Sequence, residues 1–375
     1  MDGDPIVEDA LEAALAEFER LGQERFDHDY GGLNGSNLVV IDGRRFDADA
    51  LGAAVAARVG IGRSSSEDLL TRLGLDVVPA TSWGVKHELS WRLDAWRVIQ
   101  ESGGLVSAAW LKSVRVYNAG QGIYVDKLRT RVLDDEGVAV AVRHTGRHYA
   151  DDDDGYELVY RYPFTNRPLS RDGNEVQAVK NAMALGLPIF VSSNERTQRR
   201  VRLAWVVAHD DGAQAFLMRY GAAQPEPIEL HGDEHRPFVA SVRRSRHLAV
   251  SSRTMRDPEF KFRLLRRYGG RCAITGVSVG AVLDAAHVIP VEKGGSDDER
   301  NGLLLTADLH RAFDANLWAI DPETLQVVTR LRGPQFEEIR EGARAMRDGA
   351  VPPHPEAVLW RFNEFKKAAK ELQSD

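Results

Sequence analysis

Three polar residues in the C-terminal part of the chain constrain its fold more than any other feature. His287, Asn301 and His310 follow one another with thirteen and then eight residues between them. His287 lies in a short apolar and β-branched run, and a Gly-Gly-Ser loop follows at 294–296. Residues 307–313 have the pattern of a helix that carries His310. The order therefore predicts a strand, a loop and a helix in close succession.

This order resembles the HNH nuclease motif, a β-hairpin and a helix that surround one divalent metal ion. Hydrolysis of a phosphodiester requires a base that activates water and a cation that stabilises charge on the phosphate and the leaving oxygen. His287 is the predicted base, because imidazole changes its charge near neutral pH. Asn301 is predicted to orient that imidazole through a hydrogen bond. With His310, these two residues form the predicted catalytic set.

The metal ligands are predicted from the same segment. His310 and Asp314 are spaced i,i+4, so both side chains can face one ion. Many HNH sites have a ligand immediately before the base, where this chain has Ala286. Asp284, on the same strand face as Ala286, is the predicted substitute. The predicted ion is Mg²⁺, Mn²⁺ or another transition metal. No structural zinc is expected, since Cys272 is the single cysteine.

Each of these residues also has an ordinary structural interpretation. A lone histidine in an apolar strand is usually a core residue, Asn301-Gly302 alone predicts a turn, and His310 with Asp314 could form an exposed helical pair. Their occurrence together and in order, with Cys272-Ala-Ile-Thr-Gly276 upstream, favours the nuclease interpretation. A non-catalytic protein that binds modified DNA stays open as an alternative, because Ala286 weakens the usual ligand set.

The distribution of charge favours a nucleic-acid partner, although the formal net charge is −7. Residues 236–271 contain ten Arg and one Lys against two acidic residues, Asp257 and Glu259. Such a segment directly before the nuclease motif predicts a surface that contacts DNA phosphates. A solvated helix face with a charged linker is the alternative. The predicted DNA-binding residues are Arg243, Arg244, Arg246, Arg253, Arg263, Arg266 and Arg267.

Between residues 79 and 222, β-type runs alternate with turns. The runs cover residues 113–116, 137–142, 156–162, 200–207 and 214–220, and a helix is predicted at 175–185. Within this region Tyr149, Asp152, Gly155 and Tyr160 are spaced as in the SRA domain, a PUA-like β-barrel that flips a modified cytosine out of duplex DNA. Segments 175–184 and 214–220 are similar to that family's helix and closing strand.

The SRA resemblance implies a pocket for an extruded base. Tyr149 and Tyr160 would stack on it, each contributing roughly 1–3 kcal/mol. Asp152 would accept a hydrogen bond from the exocyclic amine of cytosine. Family members often have Thr after the second tyrosine, where this chain has Arg161. The contacts to the base edge, and the choice between 5-methylcytosine and 5-hydroxymethylcytosine, therefore stay open. A solvated acidic turn at 151–154 with structural tyrosines is the alternative.

The predicted fold is α+β and multidomain. Residues 1–80 form a small α+β head, 81–230 an SRA-like β-barrel that reads modified cytosine, and 231–375 a basic linker and a ββα-metal HNH domain with C-terminal helices. The head resembles the N-terminal head domain of some HNH-containing restriction enzymes, through Val40-Ile-Asp-Gly-Arg-Arg-Phe-Asp47 and the Ala-rich helix that follows.

Together these resemblances imply a type IV-like, McrA-type endonuclease that restricts methylated foreign DNA. Its partner would be double-stranded DNA carrying modified cytosine. One HNH site cuts one strand, so double-strand cleavage predicts a homodimer. An HNH endonuclease that reads unmodified sequence is the other open alternative. Short apolar runs and an acidic N-terminus predict a cytoplasmic protein with no membrane partner.

Overall fold

A computed structural model describes residues 5–21, 23–31, 37–41, 44–62, 66–79, 84–117, 122–144, 153–163, 169–226, 228, 236–241, 257–329 and 345–371. The chain divides into two compact units. The first comprises Met1–Gly146, Pro163–Val206 and Tyr220–Pro225, and the second comprises Arg147–Tyr162, Val207–Arg219 and Glu226–Asp375. The predicted domain boundaries stay predictions. None of the described helices is long and apolar enough to cross a membrane.

The N-terminal part of the first unit is a small α+β arrangement. Its elements are α1 (Pro5–Leu21), α2 (Gln23–Tyr30), β1 (Asn37–Ile41), β2 (Arg44–Asp47), α3 (Ala48–Val59), α4 (Ser66–Arg72) and β3 (Val77–Pro79). The strands form an antiparallel sheet in the order β2-β1-β3. Helix α3 begins where Asp47 accepts a hydrogen bond from the Ala50 amide and ends at Gly60, which has φ 74°. The predicted α+β head is confirmed in these elements.

The next elements along the chain are α5 (Val85–Glu101), β4 (Leu105–Val106), α6 (Ala108–Ser113), β5 (Ile123–Val125), α7 (Lys127–Thr130), β6 (Ala139–Arg143), β7 (Glu157–Arg161), α8 (Leu169–Ala184), β8 (Ile189–Glu195), β9 (Gln198–Asp210) and β10 (Ala215–Tyr220). In the first unit, β6 pairs antiparallel with β5 and parallel with β8, and β9 pairs antiparallel with β8 and β4. In the second unit, β7 pairs antiparallel with β10. The described strands do not close into a barrel, so the SRA barrel stays a prediction.

The strand predicted at 113–116 is wrong, whereas the other predicted strands of this region are present. Helix α6 includes Ser113, and its N-cap is Ser107, whose hydroxyl accepts a hydrogen bond from the Trp110 amide. Arg115, two residues after the last residue of this helix, has φ 55°, a value that does not occur in an extended strand. The alternating valines that suggested a strand are buried side chains of an irregular segment.

Four buried charged side chains join α5 to α7 and to the sheet of the first unit. Glu88 pairs through its two oxygens with Nε of Arg92 and Nε of Arg129, each at 2.9 Å. Arg129 Nη1 also lies 3.3 Å from Asp126 Oδ2. Arg92 donates to the Ala139 carbonyl of β6 at 2.9 Å. Burial lowers the pKa of Arg92, and the Glu88 carboxylate acts against that shift. Asp126 also pairs with Nε of the partly exposed Arg115 at 3.2 Å, so each buried acid lies beside two arginines.

The second unit continues with a hairpin surrounded by helices. Its elements are α9 (Pro258–Arg267), β11 (Leu283–His287), β12 (Gly302–Thr306), α10 (Ala307–Asp314), β13 (Trp318–Ile320), β14 (Val327–Thr329) and α11 (Pro355–Glu371). Strands β11 and β12 are antiparallel, with His287 opposite Gly302. The indole of Trp318 donates to the Leu309 carbonyl at 3.0 Å and holds α10 in place. The predicted strand around His287 and the predicted helix at 307–313 are confirmed.

Close packing at Gly302 brings α9 against the hairpin. A Cβ atom at this position would lie 2.7 Å from both Leu264 Cδ1 and Phe260 Cζ, two buried side chains of α9. The Tyr268 hydroxyl, just beyond α9, donates to the Gly302 carbonyl at 3.1 Å. A glycine is therefore required where the strand and the helix approach most closely.

We expect Gly302→Ala to lower the free energy of unfolding by about 1–3 kcal/mol, because the added methyl group overpacks the contact with α9. Chemical denaturation of the full chain, followed by tryptophan fluorescence, measures this loss. Gly173→Ala on α8 is the matched control, since a Cβ there meets nothing within 4 Å. A Gly302→Ala protein as stable as the control would show that α9 is not held by this contact.

Candidate active site

The hairpin and α10 bring three of the predicted residues together. His310 on α10 lies between two carboxylates. Its Nδ1 is 3.3 Å from Asp284 Oδ2 on β11, and its Nε2 is 3.3 Å from Asp314 Oδ2 one helical turn later. The Asp314 side chain is 58% exposed, and the other two are partly exposed. All three can therefore be reached from solvent.

These donors suit a divalent cation, since two carboxylates and one imidazole are ligands for hard and borderline metal ions. In the described conformation the two carboxylates face different nitrogens of His310. Within the described ranges, no group of three or more His, Cys, Asp or Glu side chains is arranged around a common ion position. For all three side chains to bind one cation, Asp284 would have to move from the Nδ1 side of His310 to the Nε2 side, where Asp314 already lies.

His287 has a separate set of contacts at the end of β11. Its Nε2 lies 3.0 Å from Asp297 Oδ1, and its ring stacks on Phe260 of α9 with centroids 3.9 Å apart and an interplanar angle of 11°. Burial raises the pKa of Asp257 at the N-terminus of α9, and the charge of Asp297 adds to this shift. A carboxylate at one ring nitrogen and an aromatic face fix the imidazole, as a general base requires.

Asp297 and Phe260 were not predicted as site residues. Asp297 follows directly after the Gly-Gly-Ser loop. This position beside the motif was the one feature of the sequence that could have indicated Asp297 as a site residue. Phe260 precedes the nuclease motif and lies in the basic segment, where its apolar spacing predicts only a buried helix face. Both contacts arise from tertiary packing of α9 and the loop against the end of β11.

The prediction that Asn301 bonds to the imidazole does not hold. The Asn301 side chain is fully buried, and its Oδ1 accepts from the Ile289 amide at 2.9 Å. Its Nδ2 donates to the carbonyl oxygens of Ile289 at 3.1 Å and Ser296 at 2.9 Å. Asn301 thus closes the loop that follows His287 and leads to Asp297. Its side-chain hydrogen bonds all go to the backbone of this loop, so none of them reaches the imidazole of His287.

The basic segment is only partly described. Arg243, Arg244, Arg246 and Arg253 lie outside the described residues. Arg263 and Arg266 are about one third exposed, and each pairs with a carboxylate. The Arg267 side chain is 9% exposed and donates to the Pro352 carbonyl at 2.8 Å. It is therefore less accessible than Arg263 and Arg266, and its contact with DNA stays a prediction.

The basic segment, residues 236–271, is described at 236–241 and 257–271, and both of these parts contact the region around His287. Ser241 pairs with Gly295 through an antiparallel bridge, and Ser296 donates from its hydroxyl to the Val239 carbonyl. Asp257 caps α9, whose third residue stacks on His287. The chain therefore enters and leaves the arginine-rich segment 242–256 beside the candidate base.

The predicted base pocket is also only partly described. Tyr149 and Asp152 lie outside the described residues. Tyr160 and Arg161 are neighbours on β7, so their side chains point to opposite faces of the sheet. Arg161 donates to the Ala213 carbonyl at 3.3 Å. Arg161 therefore does not share a face with Tyr160, and the pocket roles of both residues stay predictions.

Two family models match the chain. Residues 272–321 match the model described as HNH endonuclease, and residues 4–78 match the model described as ScoMcrA-like, N-terminal head domain. The chain carries an HNH endonuclease domain. It also carries a ScoMcrA-like head, so the predicted resemblance of residues 1–80 is confirmed. His287, Asn301, His310, Asp284 and Asp314 all lie within the matched HNH segment.

The solved structures that match the chain include two restriction endonucleases. The "Modification dependent TagI restriction endonuclease" is 18% identical, with 69% of this chain and 90% of that chain covered and a TM-score of 0.27. The "Type IV phosphorothioation-dependent restriction endonuclease ScoMcrA" is 13% identical, with 81% and 94% covered and a TM-score of 0.22. Similarity at these scores does not establish a common fold. No curated protein matches the chain at a significant level.

We expect Asn301→Ala to lower the free energy of unfolding by at least about 2 kcal/mol, because a buried amide N–H and two carbonyls lose their partner. Thermal and chemical denaturation measure this loss. Asn194→Ala is the control, since Asn194 is exposed and accepts one long hydrogen bond from Arg143. Its effect should stay within about 0.5 kcal/mol. Equal stability of the two variants would refute the structural role of Asn301.

Proposed function

We propose that this protein is a divalent-metal-dependent DNA endonuclease that acts on DNA carrying modified cytosine. The observation that carries the nuclease assignment is the position of His310 between Asp284 and Asp314, on a hairpin and helix whose first strand ends at His287. This arrangement lies inside the segment that matches the HNH endonuclease model. It combines a candidate base with three side chains whose chemistry suits a divalent cation.

In this proposal, His287 removes a proton from the attacking water. The water oxygen forms the new bond to phosphorus as the bond from phosphorus to the leaving sugar oxygen breaks. That oxygen takes a proton from solvent and becomes a hydroxyl, and the proton on His287 is later lost to solvent. Asp297 and Phe260 hold the imidazole during these steps. A cation such as Mg²⁺ or Mn²⁺, held by Asp284, His310 and Asp314, would stabilise the charge on phosphate and leaving oxygen.

DNA would bind across the face of the nuclease unit that carries the basic segment. Arg263 and Arg266 are partly exposed on α9, the helix that also stacks on His287. Arg243, Arg244, Arg246 and Arg253 belong to the segment whose described ends flank the same histidine. Phosphate contacts of this type give affinity that is independent of sequence and falls steeply with salt.

Modified cytosine would be read by Tyr149, Asp152 and Tyr160. The support is the spacing of these residues in the sequence and the position of Tyr160 on β7, directly opposite Phe216 of β10. Stacking and a carboxylate acceptor suit a flipped 5-methylcytosine or 5-hydroxymethylcytosine. The proposed biological role is restriction of foreign methylated DNA in the cytoplasm. The proposed assembly is a homodimer that pairs two HNH sites for double-strand cleavage.

His287→Ala should lower the rate of plasmid cleavage by at least about 100-fold, because proton removal from water loses its base. Binding of the same DNA should be unchanged, as measured by fluorescence anisotropy. His354→Ala is the matched control, since His354 also stacks on a phenylalanine, Phe238, but lies outside the candidate site. Near-normal cleavage by the His287→Ala protein would remove His287 from the mechanism.

We expect 5-methylcytosine or 5-hydroxymethylcytosine to be required for cleavage. The test measures cleavage of otherwise identical duplexes, with and without Mg²⁺ or Mn²⁺. The duplexes carry cytosine, 5-methylcytosine, 5-hydroxymethylcytosine or a phosphorothioate linkage. The phosphorothioate arm is included because ScoMcrA is described as phosphorothioation-dependent. Asp152→Ala and Tyr149→Ala should erase discrimination but keep salt-sensitive background binding. Equal cleavage of all duplexes would favour a reader of unmodified sequence, and binding without cleavage would favour a non-catalytic protein.

A further inference from the structure

Helix α11 lies beyond the segment that matches the HNH endonuclease model, but one of its side chains reaches the candidate metal ligands. Ala357, Val358 and Phe365 are buried on this helix, and Arg361 shares their face at 4% exposure. A nearly buried arginine is unusual and normally has a specific charged or carbonyl partner. Its partners lie at the end of α10.

The guanidinium of Arg361 holds the C-terminal end of α10. Its Nη2 donates to the Phe313 carbonyl, and its Cζ lies 4.1 Å from the centre of the Phe313 ring. The same Nη2 is 4.0 Å from Asp314 Oδ1. The last carbonyls of a helix carry partial negative charge, which a buried cation stabilises. Arg361 therefore contacts both the helix terminus and the carboxylate of its last residue.

The two oxygens of Asp314 face two different partners. Oδ2 lies 3.3 Å from His310 Nε2, and Oδ1 faces Arg361. Asp314 is the last residue of α10, and more than half of its side chain is exposed. Packing therefore does little to fix its rotamer, and the carboxylate is flanked by the His310 imidazole and, at a longer distance, by the Arg361 guanidinium.

The surroundings of Arg361 leave room beside that carboxylate. A cavity of about 210 Å³ lies next to Asp314, and Lys293, Trp360 and Arg361 form part of its wall. The Nε atom of Arg361 is buried and has no hydrogen-bond partner within the described residues. Water that enters this cavity would reach both the guanidinium and the carboxylate.

We propose that Arg361 is a positioning residue for the metal site: it orients Asp314 so that this carboxylate can bind the cation together with His310. Helix α11 is then part of the active site. This inference rests on the proposed nuclease function, because it assigns a task to a group near the proposed ligands. Arginine suits that task, since it stays charged and its planar group contacts a carbonyl, a ring and a carboxylate at once.

Titration of the full-length protein with Mn²⁺ by calorimetry tests the proposal without relying on activity. Arg361→Met should weaken Mn²⁺ binding by about 10- to 100-fold, as expected when a group that orients a ligand is removed. Arg361→Lys, which keeps the charge, should lose less. Lys367→Met is the matched control on the same helix, because Lys367 is 69% exposed and pairs only with Glu364 among the described residues. It should bind Mn²⁺ like the wild type.

Unfolding of each metal-free protein separates positioning from stability. A lower unfolding temperature with unchanged Mn²⁺ affinity would overturn the proposal. If Arg361→Met does not fold, Arg361→Lys takes its place in the same comparison. In an Asp314→Asn background, removal of Arg361 should cause no further loss of Mn²⁺ affinity, because its target is gone. A further loss as large as in the wild type would also overturn the proposal.

The wild-type titration keeps this inference distinct from the proposed function. A wild-type protein that neither binds Mn²⁺ nor cleaves DNA would refute the nuclease proposal and, with it, the role of Arg361. A wild-type protein that binds and cleaves, beside an Arg361→Met protein with the same affinity, would refute the role of Arg361 alone.

Discussion

The candidate active site depends on the set of hydrogen bonds made by the Asn301 side chain. This amide joins the backbone on both sides of the turn after His287, and the turn is so tight that a Cβ atom at Gly295 would lie 1.8 Å from the Ile289 carbonyl oxygen. The turn sets the position of Asp297, which in turn contacts the imidazole. One buried amide therefore supports the loop whose Asp297 contacts the candidate base, although the amide itself does not contact that histidine.

The hairpin is too small to keep this geometry by itself. A two-stranded sheet is at best marginally stable in water, and a single cysteine cannot supply the paired thiolates of a structural zinc site. Cys272 is buried in the core, where it accepts a hydrogen bond from the Thr275 amide at 3.4 Å. Stability comes instead from α9, which packs on Gly302, and from α11, which holds α10 through Arg361. Both helices lie outside residues 272–321.

The sequence alone predicted the elements whose structure is determined by local periodicity. The Ala-rich α3, the strand of His287 and the helix of His310 all form at the predicted residues, and the i,i+4 pair of His310 and Asp314 is in contact. Their patterns depend on neighbours within one or two turns, so no tertiary information was needed.

Predictions that required knowledge of a distant partner were less successful. Asn301 has the expected location but another hydrogen-bond partner, and Arg267 has the expected charge but turns toward the Pro352 carbonyl. At 113–116, a helix end and a left-handed Arg115 occur where alternating valines predicted a strand. In each case the residue type suits several partners, and the three-dimensional packing selects one.

The paired charges of Glu88, Arg92, Asp126 and Arg129 restrict how the first unit can evolve. All four side chains are buried, and removal of one partner from a buried ion pair typically costs about 3–5 kcal/mol, comparable to a large part of the stability of a domain. Replacement of an acid and an arginine together by apolar residues of similar volume can be neutral. Related sequences should therefore keep the set intact or exchange its members in pairs, so that these positions covary.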